Sequence, residues 1–212
     1  MTGVDFLQPL PAADLADIKQ ALLDHLVMVV RDQSLDPKQL LAAVRLFGET
    51  MEQHLTDTLM DEHPEIAVLD SSKMPPDKQG RVIPFGARTW HTDHTNHEHP
   101  PKYTALYAIN LPASGGDTSF ANMNFGYTAL PREEQASLLD LQTVNKIEDF
   151  GYIGEEARVK FGTLPVHPLI RTHPETGKKA LYVHPGKLER IVGRDPNESQ
   201  TFINNLLDRV IK

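Results

Sequence analysis

From Tyr103 to Ile109 an apolar run leads into Ser114-Gly115-Gly116-Asp117 and resumes through Thr118 to Ala121. This is the pattern of two extended segments joined through backbone angles that glycine adopts at least cost, and it favours an antiparallel β core. Other segments surround it with helices. Leu15, Ile18 and Leu22 recur at helical spacing and predict a helix over 12–25, and Leu26-Val27-Met28-Val29-Val30 predicts a buried strand directly after it. Asp36 is placed to cap a second helix with Pro37 in its first turn, Leu40, Leu41, Val44 and Phe47 as its stripe and Gly48 at its end. Together these make an αβα entry unit over about residues 1–50. Further on, Ile66 to Leu69 predicts a short strand, Ser71 to Gly80 an exposed loop able to act as a lid, and Pro131 to Leu141 a helix. Leu164 to Thr172 and Lys179 to Val183 predict a hairpin across Glu175-Thr176-Gly177. Asp195-Pro196-Asn197-Glu198 predicts the cap of a last helix carrying Phe202, Ile203, Leu206 and Val210. The chain has no internal repeat and no low-complexity tract.

A length of 212 residues with 40% hydrophobic content allows one sizeable core, so a single domain is expected, with the entry unit followed by a β core over about 51–212. The net charge of −8 argues against nucleic acid or an anionic membrane as main partner, since both require a basic surface. A small diffusible substrate fits better, and a homo-oligomer is compatible. No cysteine occurs, which excludes a disulfide framework, a thiolate metal site and a cysteine nucleophile. The first residues lack the charged-then-apolar pattern of a signal peptide, and no apolar run is long enough for a bilayer. A soluble cytoplasmic protein is the expectation.

The chemistry concentrates in Trp90-His91-Thr92-Asp93. On an extended segment His91 and Asp93 share a face while Thr92 points away. An imidazole and a carboxylate offered together suit a first-row divalent metal, and they are two thirds of the facial triad of non-heme Fe(II) oxygenases. The same tripeptide in isolation is also compatible with a solvated polar turn. His94, His97 and His99 crowd the same stretch, and a tetrahedral zinc site from His91, Asp93 and one of them is the rival reading, although residues so close along a strand are poorly placed around one ion. A zinc hydrolase would also need a water-activating base, and Glu98 lies on the opposite strand face. Trp90 is expected to pack against the metal-binding segment. His167, His173 and His184 each precede a proline in or beside a strand, where a histidine bonded to backbone is the expected role. His184 follows a core strand and can also face the site. Glu133-Glu134 and Glu155-Glu156 read as solvated helix faces.

Several blocks, taken in order, resemble the TauD/TfdA family of Fe(II)- and 2-oxoglutarate-dependent dioxygenases over nearly the whole chain. They are Val29-Val30-Arg31-Asp32-Gln33, Leu46-Phe47-Gly48-Glu49, Trp90-His91-Thr92-Asp93, Leu111-Pro112-Ala113-Ser114-Gly115-Gly116-Asp117-Thr118, His167-Pro168-Leu169-Ile170-Arg171-Thr172-His173-Pro174 and Leu181-Tyr182-Val183. The resemblance implies a mixed α/β chain with a double-stranded β-helix (jelly-roll, cupin-like) core and helices outside it. It implies that His91 and Asp93 bind Fe(II) and that the Thr118 hydroxyl holds a carboxylate of the co-substrate 2-oxoglutarate. Without the resemblance Thr118 reads only as a β-favouring residue after a turn. His54 falls where related enzymes place a substrate-contacting side chain, and is equally compatible with a surface histidine. Lys187 falls at a pocket position, able to pair with an anionic substrate or to be solvated.

In the family a distal histidine completes the triad and an arginine beyond it grips the far carboxylate of 2-oxoglutarate. Both lie in strands after the last helix of this sequence. A fragment or trimmed form, lacking the closing strands and binding iron weakly by itself, is therefore the expectation. The implied activity is hydroxylation of a small organic substrate with O2, coupled to oxidative decarboxylation of 2-oxoglutarate to succinate and CO2. The alternative is an inactive jelly-roll remnant serving as a binding module.

Overall fold

Local capping chemistry sets an end of several helices of this chain, and the computed structural model describes residues 1–51, 58–73, 89–147 and 159–211. Helix α1 (Ala12–His25) ends where Leu26 takes a left-handed φ of 67° and its N–H bonds to Leu22 O. Helix α2 (Pro37–Arg45) starts on a reciprocal capping box: Asp36 Oδ1 accepts from Gln39 N, and Gln39 Oε1 accepts from Asp36 N, both at 2.8 Å. A short hairpin follows, β1 (Leu59–Met60) against β2 (His63–Ala67). A 3-10 turn at Ser71–Lys73 is held by Asp70 Oδ1, which accepts from Ser72 N and Oγ.

The C-terminal half holds α3 (Met123–Thr128), α4 (Arg132–Leu138), β3 (Gln142–Asn145), β4 (Val166–Pro168), β5 (Ile170–Thr172), β6 (Lys179–Leu181), a 3-10 turn (Pro185–Lys187), β7 (Leu188–Ile191) and α5 (Pro196–Val210). Strand β3 pairs antiparallel with β4 on one side and β7 on the other, while β5 and β6 form a separate hairpin. The tight turn of that hairpin puts Gly177 at φ 67°, donating its N–H to His173 O. Asp195 caps α5 by accepting from Asn197 N and Glu198 N.

By their contacts the described residues group into two compact units. One contains α1, α2, the β1–β2 hairpin and residues 105–116. Inside it the Tyr107 hydroxyl accepts from Leu35 N and donates to Gln33 O. The other contains Thr58, residues 68–73 and 89–104, and everything described from Asp117 onward. Its core is one cluster in which Leu138, Leu169, Ile191 and Ile203 are almost fully buried between strands and helices.

The mixed α/β class, α1, α2, the β5–β6 hairpin and α5 match the sequence expectations, with the strands among the described residues gathered in three small antiparallel sheets. Several segments differ. Tyr103–Ile109, Thr118–Ala121 and Leu26–Val30 form no strand, because an extended segment becomes one only through a ladder, and none of them has a ladder partner among the described residues. Several of their apolar side chains stay exposed, Ile109 at 79%. The run Leu164–Thr172 is broken at Leu169, so that β4 pairs with β3 and β5 with β6. The strand expected at Ile66–Leu69 is instead His63–Ala67, set by the turn at Asp61-Glu62. Helix α4 stops three residues early at Leu138, while α3 and β3 were not expected at all. Beyond Lys73 the expected lid lies outside the described residues. Glu134 is not a free solvated carboxylate, since both of its oxygens pair with Arg209 of α5, at 2.6 and 2.7 Å.

Ser199 couples α5 to the sheet: its Oγ accepts from Ile191 N at 2.9 Å and donates to Asp195 O at 2.7 Å, in a fully buried position. Ser199→Ala would leave the Ile191 N–H buried without an acceptor, an expected loss of about 1–3 kcal/mol. Thr201→Ala, which removes only an exposed bond to Asn197 O of the same helix, should cost less than about 0.5 kcal/mol. Urea midpoints of the two variants test this, and equal shifts would show that the α5–β7 tie is not the cause.

Candidate metal centre

His91 and Asp93 come together without a strand. The segment has no regular structure at His91 and then turns through residues 93–96, with His94 at φ 55°. His91 Nε2 lies 3.3 Å from Asp93 Oδ1. The other polar atom of each side chain is already engaged: His91 Nδ1 donates to Thr89 O at 2.9 Å, and Asp93 Oδ2 accepts from Thr104 Oγ1 at 2.7 Å. A carbonyl can only accept, so Nδ1 carries a proton, and in the neutral ring Nε2 would present a lone pair toward a carboxylate oxygen. Two acceptors at that separation are stable only with a cation between or beside them. Either a proton on Nε2 or a divalent ion meets that need.

The spacing suits a metal. Two ligand atoms at right angles, each roughly 2.1 Å from an ion, lie about 3 Å apart. The outer bonds to Thr89 and Thr104 hold tautomer and carboxylate orientation, as supporting contacts around metal ligands do. In the metal-free chain the Asp93 carboxylate holds the His91 pKa above its ordinary value, opposed by burial, and His91 in turn holds Asp93 well below the carboxylate range. Among the described residues no group of three His, Asp or Glu side chains could hold an ion. The donor set therefore fits two positions of a metal centre, and the rival zinc site with His94, His97 or His99 is not formed there.

The surrounding histidines divide by role. His167 Nε2 donates to His97 O at 2.9 Å, and His173 Nδ1 accepts from Glu175 N and Thr176 N, so both serve backbone as expected. His184 faces the site: its ring centroid is 5.3 Å from that of His91, and burial, followed by the nearby Lys187 ammonium, pushes its pKa down to about 3. His94 stacks edge-on against His97 at 5.0 Å, and burial takes its pKa down to about 4.

Other expected site residues are placed less directly. Lys187 is buried, and its Nζ donates to Asn96 Oδ1 at 2.7 Å, which excludes the solvated alternative. Thr118 is exposed, with no hydrogen bond to His91 or Asp93. Trp90 is 44% exposed rather than packed, in a segment that belongs to no strand among the described residues. His54 lies outside the described residues. Thr104, Asn96 and the Thr89 carbonyl were missed by sequence reasoning. Thr104 sat inside an apolar run, and Asn96 in a turn where any polar residue is unremarked.

The metal-free chain should lose stability on acidification. His184 and His167 have pKa values held below the ordinary value of about 6.5 by burial, so below that pH the unfolded chain binds protons that the folded chain refuses. Their contribution is present above pH 6.5 and fades as pH falls. His91, raised by Asp93, acts in the opposite sense. In chelator, the unfolding free energy should fall from pH 7 to pH 5 by on the order of 1 kcal/mol per pH unit. His184→Gln should flatten the slope. An unchanged slope in that variant would show that His184 ionises freely in the folded chain.

Comparison with known proteins adds the following. The model of the taurine catabolism dioxygenase TauD, TfdA family matches residues 2–210. Pentalenolactone F synthase of Streptomyces avermitilis is 30% identical over 97% of this chain and 74% of that protein. The (S)-phenoxypropionate/alpha-ketoglutarate-dioxygenase of Sphingobium herbicidovorans is 29% identical over 98% of this chain and 74% of its own length. Among solved structures, a taurine dioxygenase from Burkholderia xenovorans superposes with a TM-score of 0.72 at 30% identity, covering 99% of this chain and 68% of that one.

Proposed function

The chain belongs to the TauD/TfdA family of Fe(II)- and 2-oxoglutarate-dependent dioxygenases, and on that premise we propose that His91 and Asp93 are two of its iron ligands and that Thr118 holds a carboxylate of 2-oxoglutarate. The reaction is hydroxylation of a small organic substrate with O2, coupled to conversion of 2-oxoglutarate to succinate and CO2. The frame inferred for these residues is a double-stranded β-helix with outer helices.

One observation supports the ligand assignment above the others. His91 Nε2 and Asp93 Oδ1 face each other at 3.3 Å while their partner atoms are tied to Thr89 and Thr104. Fe(II), when bound, supplies the oxidising chemistry and the open coordination positions that O2 and 2-oxoglutarate require. The chain's residues orient and shield. The Thr89 carbonyl keeps the proton on His91 Nδ1, leaving Nε2 to ligate. The Thr104 hydroxyl keeps Asp93 from rotating, so that Oδ1 stays available. His184, neutral at physiological pH, packs against the His91 ring without adding a second cation. The Thr118 hydroxyl donates to a carboxylate, a bond to a charged group.

Anaerobic Fe(II) titration and succinate formation test the assignment. His91→Ala and Asp93→Ala should each abolish turnover and remove measurable Fe(II) affinity. Thr104→Val retains both ligands and should weaken Fe(II) binding about tenfold to a hundredfold. Thr118→Val should leave Fe(II) binding intact and weaken 2-oxoglutarate by about ten- to a hundredfold, the worth of one bond to a charged group. Parental Fe(II) affinity in His91→Ala and Asp93→Ala would sink the ligand assignment. Unchanged 2-oxoglutarate affinity in Thr118→Val would remove Thr118 from the site.

A further inference from the structure

His167 is buried, at 6% exposure, and its side chain reaches from β4 to the segment that carries the proposed iron ligands. Its backbone is fixed by the sheet. Fully buried Thr143 stands opposite it in the β3–β4 register, and the Thr143 hydroxyl donates to His167 O at 3.3 Å. The ring is held as well. It stands edge-on to Tyr182, with centroids 5.5 Å apart and planes at 88°, and the Arg171 guanidinium covers that tyrosine 4.5 Å from its ring centre. With backbone and ring both held, the direction of the histidine N–H is set.

That N–H meets the end of the ligand turn. His167 Nε2 lies 2.9 Å from His97 O. A carbonyl only accepts, so Nε2 is the donor. Burial holds the ring pKa below its ordinary value, which leaves the imidazole neutral near pH 7. His97 N donates to His94 O at 3.0 Å and closes the turn, in which His94 has a left-handed φ of 55°. Asp93 opens the same turn, and its Oδ1 faces His91 Nε2 at 3.3 Å. Only four positions separate the anchored carbonyl from the carboxylate. A closed turn that short transmits a displacement at His97 to Asp93, and no ladder holds the segment among the described residues.

We propose that His167 is a positioning residue of the iron centre: its bond to His97 O sets where the turn presents the Asp93 carboxylate to His91. This rests on the reading of His91 and Asp93 as iron ligands and extends it to a side chain that bonds to neither. Affinity is highest when two donors already stand at the separation an ion requires, since freedom left in either must be lost on binding. His173 shows the contrast. It accepts from Glu175 N and Thr176 N of its own hairpin turn and has no such part.

Anaerobic Fe(II) titration of the full chain tests the role. His167→Phe keeps a buried ring and deletes the donor, and should weaken Fe(II) binding about tenfold. His167→Gln carries an N–H at similar reach and should bind within about threefold of the parent. Ser199→Ala, which breaks the buried α5–β7 tie of the same unit, controls for lost stability and should bind Fe(II) as the parent does. A second readout needs no metal. In chelator the His97 amide should exchange its hydrogen faster in His167→Phe than in His167→Gln.

Parental Fe(II) affinity in His167→Phe, beside lost affinity in His91→Ala, would overturn the positioning role alone. Equal weakening in His167→Phe and Ser199→Ala would overturn it too, by making the effect one of general stability. So would equal weakening, or equal exchange at His97, in the Phe and Gln variants, because the donor would then be irrelevant. Parental Fe(II) affinity in His91→Ala is the separate outcome that overturns the iron reading, and the positioning role falls with it.

Discussion

Strand β3 has both edges paired, and the C-terminal unit depends on that double pairing. Four residues, Gln142 to Asn145, meet β4 through Thr143↔His167 and β7 through Thr143↔Ile191. The ladders continue beyond the strand ends, with Asn145 N donating to Pro165 O and Lys146 N to Lys187 O. Thr143, Val144 and Asn145 are buried, and the Asn145 amide closes back on Thr143 O and Oγ1. A slip of one residue would exchange the faces of β3 and carry the polar atoms of Thr143 and Asn145 away from these partners. The register therefore fixes two things at once: where His167 stands on β4, and where the turn Pro185–Lys187 delivers its lysine before β7.

Those two side chains hold the segment that carries the candidate ligands. His167 Nε2 reaches His97 O, and Lys187 Nζ reaches Asn96 Oδ1. The turn over residues 93–97 thus gains from neighbouring side chains the anchorage that a paired strand would gain from its ladder. This accounts for the unusual backbone there, including the left-handed His94, since such a conformation persists only where its surroundings over-determine it. It also accounts for the depressed pKa values of His94 and His184: burial and a nearby ammonium both act against an imidazolium. His91 alone is pushed the other way, because Asp93 lies against it. Burial keeps His94 and His184 neutral, while at His91 a metal must displace the proton that Asp93 favours, because only a neutral imidazole ligates.

Elements whose cause is local were legible in the residues. The Asp36 capping box, the Asp195 cap, the 3.6-residue stripes of α1 and α5 and the glycine turn of the β5–β6 hairpin each depend on atoms within a few positions, so the residue pattern already contains the reason for the structure. The chemistry of His91 and Asp93 was legible for the same reason, being two residues apart. Segments that needed a distant partner were misread. Tyr103–Ile109 has every local mark of a strand and forms none among the described residues, while Gln142–Asn145, with an amide at either end, becomes the central strand because β4 and β7 lie on both sides of it.

What residue order alone determined here is therefore the family, the cap-to-cap helices and the identity of the proposed ligand pair. Tertiary structure decided the rest of the site. Thr104 on Asp93, His184 against His91 and Asn96 with Lys187 are separated by 11, 93 and 91 positions respectively. No periodicity or motif can bring such residues together, because their proximity is produced by strand register and burial, and those depend on what the whole chain packs against.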